Sequence, residues 1–381
     1  MYHNDNSKMG GYVPLSQLGA ILFRMILKVW AYSGLVLVVC FLLYYLYGGF
    51  VAISLLIFAV TGILYRVQDN LLYSPELPSH SRVYIPIPSM FGLPFESINH
   101  KCPDGITIHM YFIHQPKERQ RLAPTIVFFH GNAGNMGHRL QNCADLYHNL
   151  HCNILLVEYR GYGHSEGSPS EEGLYTDAKA SLDYLFTRND INHSEIVVFG
   201  RSLGGAVAID LAARENYTNK IWCLIVENTF TSIPDIAMVL LGWRILKYLP
   251  IFFYKNKYLS YQKIKKVRTP TLFISGLSDN LVPPKMMQEL FERYVSAKQL
   301  EIRLLTFFFL LNRSGSVRKQ LYQLPAGTHN ETWQLPGYYH AIALFLQNYR
   351  VSALMQQASI DMDRKSDSSS GSGLWNGVID I

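Results

Sequence analysis

A serine hydroxyl becomes a useful nucleophile only where the backbone lifts it clear of its neighbours and a base stands beside it. Residues 200–205 meet the first condition: Gly200-Arg201-Ser202-Leu203-Gly204, followed by Gly205. Such a Gly-x-Ser-x-Gly pattern is weak by itself. Its surroundings strengthen it, because an apolar run (Ile196-Val197-Val198-Phe199) enters and small residues (Ala206-Val207-Ala208) leave. A sharp turn from strand to helix needs that arrangement, and it would hold the Ser202 hydroxyl above the end of a sheet. The plainer reading is a serine capping a helix after a strand.

An unassisted serine is a poor nucleophile and needs an imidazole base oriented by a carboxylate. Around an elbow of this kind the chain order is serine, acid, histidine. Only His329 and His340 follow Ser202. His329 stands in a Pro325-Ala326-Gly327-Thr328-His329-Asn330 loop, whereas His340 falls within the helical pattern Tyr338–Leu346, so His329 is the expected base and His340 a packing residue. The acid should end a strand. Asp279 follows Thr271-Leu272-Phe273-Ile274-Ser275-Gly276 and precedes the helix start at Pro283-Pro284, with Glu227 as the alternative. Asp210 reads as mid-helix and Asp235 as part of an insertion. Acyl transfer also needs donors for the developing oxyanion. Phe129-His130-Gly131-Asn132-Ala133-Gly134 closes a strand on a tight turn, so the backbone N–H groups of Asn132 and Leu203 are the expected oxyanion hole. No Lys-Ser/Thr pair follows that turn, which argues against a phosphate cradle.

Five segments occur in order: His130–Asn135, Tyr159-Arg160-Gly161-Tyr162-Gly163-His164-Ser165-Glu166-Gly167, Gly200–Gly205, Val226-Glu227-Asn228-Thr229-Phe230 and Gly327-Thr328-His329-Asn330. Together they resemble the membrane-bound α/β-hydrolase domain-containing serine hydrolases, relatives of protein depalmitoylases, from about Trp30 to Tyr349. The resemblance implies a single-pass anchor, a triad of Ser202, Asp279 and His329, and a lipid-acyl thioester as substrate.

The elements that must position these residues are legible in outline. Apparent strands cover Arg82–Ile87, Ile106–Ile113, Thr125–Phe129, Asn153–Tyr159, Ile196–Phe199, Cys223–Val226 and Thr271–Ile274. Helical patterns lie near Gly137–Leu150, Ser170–Thr187, Leu203–Glu215 and Pro284–Val295. Continuous apolar strands such as Ile154-Leu155-Leu156-Val157 suit a parallel sheet covered on both faces. The expected class is therefore α/β with a mostly parallel, doubly wound sheet, and the resemblance implies that it is an α/β-hydrolase fold over residues 70–355. Residues 228–268 are too long for a simple strand–helix link and read as a helical cap. That cap either lines an acyl-chain groove with its lysines toward headgroups or packs on its own domain with a solvated basic rim. Residues 307–321 depart from the family pattern. They read as an insertion ahead of His329, in composition a retained intron or misjoined segment, and would be tested by comparing activity with and without them. The Ser/Gly-rich tail, residues 356–381, reads as disordered.

The charged fraction of the 381 residues is 16%, below the ~25% of soluble domains. The deficit lies early: no charged residue stands between Lys28 and Arg66. Residues 29–65 exceed the ~20 apolar residues of one span and are too long for the core of a cleaved signal peptide. Lys8, Arg24 and Lys28 before the run, against Arg66 offset by Asp69 after it, predict a cytoplasmic amino terminus (residues 1–28) and a lumenal or extracellular hydrolase domain. A hairpin turning at Gly48-Gly49 is the alternative and would leave the domain cytoplasmic. Sequons at Asn192, Asn216, Asn312 and Asn330 are compatible with the first arrangement.

A net charge of +6 without a basic stripe argues against a nucleic-acid partner. Cys40, Cys102, Cys143, Cys152 and Cys223 have no metal-ligand spacing and give no disulfide framework. The expected activity is a membrane-anchored serine hydrolase of acyl esters or thioesters, palmitoyl-protein thioesters among them, acting on a lipid or acylated protein and requiring no metal or organic cofactor. A membrane serine peptidase and a scaffold disarmed by the insertion are the other two readings.

Overall fold

The computed structural model describes residues 15–242, 248–294 and 319–351. In chain order its elements are α1 (Leu15–Tyr47), α2 (Gly49–Leu72), β1 (Phe95–Lys101), β2 (Thr107–Ile113), α3 (Lys117–Gln120), β3 (Thr125–Phe129), α4 (Leu140–Leu150), β4 (Asn153–Val157), α5 (Glu171–Thr187), β5 (Ile196–Arg201), α6 (Leu203–Ala212), α7 (Glu215–Thr218), β6 (Cys223–Glu227), α8 (Ile233–Leu241), α9 (Ser260–Lys263), β7 (Thr271–Gly276), α10 (residues 284–294), β8 (Lys319–Leu324) and α11 (residues 338–351).

These strands make one sheet in the order β1-β2-β4-β3-β5-β6-β7-β8. The pairs β1–β2 and β2–β4 are antiparallel, and every pairing from β4 through β8 is parallel. Side chains of a strand alternate between faces, so each central strand feeds two cores. Val127, Phe129, Val198 and Phe273 meet α5, α6 and α10 on one face. Ile126, Phe128, Val197 and Phe199 meet α4 and α11 on the other. Coverage on both faces explains why β3, β4, β5, β6 and β7 are buried along their whole length. The fold is an α/β-hydrolase fold, mostly parallel.

The sequence misplaced the sheet's margins. Residues 82–87, expected as a strand, form a turn and extended chain, because Pro86 and Pro88 remove ladder donors. The first strand is instead β1, and the last is β8, whose Lys-Gln-Leu-Tyr-Gln-Leu sequence is only half-buried. Edge strands carry little continuous apolar signal. Arg303–Thr306 and residues 307–318 lie outside the described residues. The remainder of the expected insertion, Lys319–Leu321, begins β8 and pairs with Thr271–Phe273. A deletion that tests only the extra segment must therefore stop at residue 318. The predicted tail, 356–381, and Asn312 also lie outside the described residues.

At the amino end, the apolar run is split at Gly48, whose φ of 86° breaks the helix. Leu37 to Tyr44 of α1 face Ala52 to Leu56 of α2, burying Cys40 and Ala52. Elsewhere both helices expose large apolar side chains, among them Tyr45, Phe50, Ile57 and Phe58. Helix α2 is long and apolar enough to cross a membrane. All five cysteines are free and buried.

Candidate active site

Strand β5 runs into α6 through Ser202, held at φ 55° and ψ −119°. A non-glycine residue there stores roughly 1–3 kcal/mol of backbone strain, which the surrounding packing must oppose. Packing is tight enough to do so. A Cβ added to Gly204 would lie 2.0 Å from the Phe129 carbonyl oxygen, and one on Gly200 would lie 2.2 Å from the Gly204 carbonyl oxygen. Both obstacles are backbone, so rotamer changes cannot relieve them. Gly204→Ala should therefore destabilise the fold by about 1–3 kcal/mol. Because it pushes the turn after β3 away from Ser202, turnover should also fall ~100-fold. Thermal melting and ester turnover on the same preparation check both.

His329 reaches Ser202. Its Nε2 is 3.0 Å from Ser202 Oγ, and its Nδ1 is 2.8 Å from Asp279 Oδ2. The second carboxylate oxygen, Oδ1, accepts the backbone N–H groups of Leu281 (2.9 Å) and Val282 (2.8 Å). Asp279 is thus fixed by its own turn after β7, and it in turn aims the imidazole. Glu227, the alternative acid, ends β6 fully buried and accepts the Tyr338 hydroxyl at 2.5 Å. Burial pushes its carboxyl above the usual range, while the Arg201 guanidinium, 3.6 Å away, pulls it back. Asp210 pairs with Arg214 and Lys263, and Asp235 sits in the first turn of α8 under Ser232. His340 lies on α11 as expected, but it is exposed rather than packed.

The residues that hold the His329 loop lie within the Gly200–Gly205 and Val226–Phe230 segments. Arg201, inside the elbow, donates through Nη2 to the Asn330 carbonyl (2.7 Å), the His329 carbonyl (3.3 Å) and Asn330 Oδ1 (3.1 Å). Asn228, at φ 45° just past β6, donates to the carbonyls of Thr328 (3.2 Å) and His329 (3.3 Å) and to Thr332 Oγ1 (3.0 Å). Its Oδ1 accepts the Gly276 N–H at 2.8 Å. Strands β5 and β7 and the His329 loop are therefore cross-linked by two side chains. In the sequence both look like ordinary neighbours of better-known positions.

On the opposite side of Ser202, Gly131 packs so closely that a Cβ there would meet Ser202 Cβ at 3.4 Å. Leu203 N–H opens α6, where helix geometry leaves it without an intrahelical acceptor. Among the described residues, the Asn132 N–H is likewise not spent on a backbone acceptor outside helices and strands. The Asn132 side chain is locked in place: Nδ2 donates to the Leu72 carbonyl (2.5 Å), and Oδ1 accepts from Tyr162 Oη (2.9 Å) and Ser74 N–H (3.3 Å). His130 anchors the turn from below, its Nε2 3.0 Å from Glu158 in a fully buried pair. Glu158 also accepts the Met136 N–H at 3.0 Å.

Comparison with known proteins matches this architecture. Residues 124–244 fit the family model described as the alpha/beta hydrolase fold. The alpha/beta hydrolase domain-containing protein WAV2 of Arabidopsis thaliana is 38% identical over 319 residues, covering 81% of this chain and 94% of that protein. The chain belongs to the α/β-hydrolase family. An uncharacterized membrane protein of Saccharomyces cerevisiae is 30% identical to this hydrolase over 300 residues, covering 78% of this chain and 94% of the yeast protein. Among solved structures, the Pyrococcus furiosus esterase Pf2001 superposes with a TM-score of 0.53 at 17% identity, over 69% of the hydrolase and 95% of the esterase. At that identity the likeness speaks for the fold. Among the described residues, no group of three or more His, Cys, Asp or Glu side chains could hold a metal ion.

Proposed function

We propose that this hydrolase is a membrane-anchored serine esterase or thioesterase acting on acyl groups of a lipid or an acylated protein, palmitoyl thioesters among them. The observation that carries the reading is the single imidazole bridging Ser202 Oγ at 3.0 Å and Asp279 Oδ2 at 2.8 Å. In the reaction, His329 Nε2 takes the Ser202 proton as Oγ attacks the acyl carbon. The carbonyl oxygen becomes an oxyanion, and the N–H groups of Asn132 and Leu203 are the donors proposed to receive it. His329 then protonates the departing alkoxide or thiolate, leaving an acyl-serine. Water, deprotonated by the same imidazole, releases the acid and restores Ser202.

The test is active-site labelling of the full-length protein with a fluorophosphonate probe, with Ser202→Ala as control. Covalent labelling lost in the variant is expected. Folded protein that shows no Ser202-dependent labelling sinks the serine-hydrolase reading.

For the anchor, the break at Gly48 favours the hairpin over the single pass. Lys28 and Arg66 lie at similar distances from that turn, about 30 and 27 Å along their helices. Folded back on each other, the helices bring both charges to one membrane face, and the hydrolase domain then lies on the side of the amino terminus. The sequons at Asn192, Asn216 and Asn330 should accordingly stay unmodified. An endoglycosidase-sensitive mass shift lost in Asn216→Gln or Asn330→Gln would show the opposite topology.

A further inference from the structure

The cap is tied to the membrane helix rather than only to the domain that bears it. Gln68, in the last turns of α2, donates to the Phe253 carbonyl at 2.7 Å and accepts the Lys255 N–H at 2.8 Å. Asp69 pairs with the Lys255 ammonium and accepts Asn256 Nδ2 at 2.6 Å. Tyr73 Oη donates to Asn256 Oδ1 at 3.0 Å and shares a hydrogen bond with Tyr258 Oη at 2.8 Å. The uncharged run of the anchor ends at Tyr65, three residues before Gln68. At 1.5 Å per residue, the Phe253 backbone is pinned about 5 Å from the level at which α2 leaves the hydrocarbon.

The residues around that pin are apolar and open. Leu240, Leu241, Tyr248, Ile251 and Phe252 are all exposed, Phe252 to 67%. The stretch of chain that carries them is basic. No acidic residue stands between Asp235 and Asp279, whereas six lysines and two arginines do. Lys265 and Lys266 are exposed and have no acidic partner among the described residues. An apolar face in a basic stretch of chain, with Lys265 and Lys266 left unpaired, is the composition of an element lying in a bilayer interface against anionic headgroups. The chemistry is close by. Thr229, whose hydroxyl donates to the Ser202 carbonyl at 2.7 Å, stands four residues before the start of α8.

We infer that the cap face formed by α8 and residues 248–252 is immersed in the leaflet that holds the anchor, and that acyl chains pass to Ser202 sideways from that leaflet. The inference rests on the membrane-anchored acyl-hydrolase reading and adds the docking surface and the route of the substrate.

Full-length protein reconstituted in vesicles of phosphatidylcholine and phosphatidylserine tests it. Because the native cysteines are buried, single reporters at Phe252→Cys, Ile57→Cys and Leu122→Cys can carry a small fluorophore. Lipids with brominated acyl chains then report contact with hydrocarbon. Quenching at 57 and 252 but not at 122 is the expected result. Quenching at 57 alone overturns the cap proposal and leaves the anchor standing; quenching at neither position removes the anchor reading and the cap proposal with it. Activity gives a second measurement. Phe252→Asp should lower turnover of a long-chain ester embedded in vesicles about tenfold or more, while a water-soluble short-chain ester changes less than about twofold. Equal losses on both substrates would count against the lateral route.

Discussion

Ser202→Ala should cut kcat for a soluble acyl ester by about 10⁶-fold while leaving the melting temperature close to that of the parent chain. The size follows from the triad's action as a unit. With no hydroxyl there is no acyl-enzyme, and the imidazole 3.0 Å from the vacated oxygen has nothing to deprotonate except water. What remains is the contribution of substrate binding and the oxyanion donors, about 10³–10⁴-fold over the uncatalysed reaction. The fold should tolerate the change, since an alanine keeps the Cβ that faces Gly131 and accepts the same elbow dihedrals as serine. Turnover under substrate saturation, paired with a thermal melt, separates loss of chemistry from loss of structure. Retention of more than about 1% of parental kcat by a correctly folded variant would disprove the nucleophile assignment.

Asp279→Asn should cost about 10⁴-fold in kcat, through proton placement and not through displacement. Asp279 Oδ1 accepts two backbone N–H groups, from Leu281 and Val282. An asparagine must keep its oxygen toward those donors, because its NH₂ would meet them as a like partner. The NH₂ then faces His329 Nδ1, now 2.8 Å from a donor where an acceptor had been. The imidazole answers by moving its proton to Nε2. In that tautomer Nε2 cannot accept the Ser202 proton, although every heavy atom stays in place. KM should change little, and fluorophosphonate labelling should slow in parallel with kcat. A loss below about tenfold would mean that another carboxylate orients the base. Glu227 is badly placed to do so, being occupied with Tyr338 and Arg201.

Two features of the structure bear on how robust the site is. The turn that carries Asn132 is fastened to the end of α2 and the residues just after it, through the Leu72 carbonyl and the Ser74 N–H. The His329 loop is fastened to β5 and β7 through Arg201 and Asn228. Strand β8 delivers that loop, and its six residues pair in register with the whole of β7. Whatever precedes residue 319, the loop from Pro325 to His329 leaves a strand paired with β7, the strand that leads to Asp279.

Local sequence determined much of this protein, for reasons that are themselves local. The elbow is readable because only small residues fit where Gly200 and Gly204 pass other backbone at near contact, and because an apolar strand must feed it. The central strands β3 to β7 are readable because burial on both faces demands unbroken apolar runs. The uncharged stretch from Val29 to Tyr65 announces itself by length. His329 and Asp279 could be singled out by chain order and loop context alone. Tertiary structure decided what depends on contacts distant in sequence. It placed the edge strands β1 and β8, whose half-exposed sequences carry little signal, and it split the apolar run at Gly48, where φ is positive. It also gave Arg201 and Asn228 their partners about 100 to 130 residues away, and it joined Gln68 and Asp69 to Lys255 and Asn256, nearly 190 residues on. A side chain's type limits which bonds it can make. Which partner arrives to make them is set by the sheet order and by the packing of the chain around it.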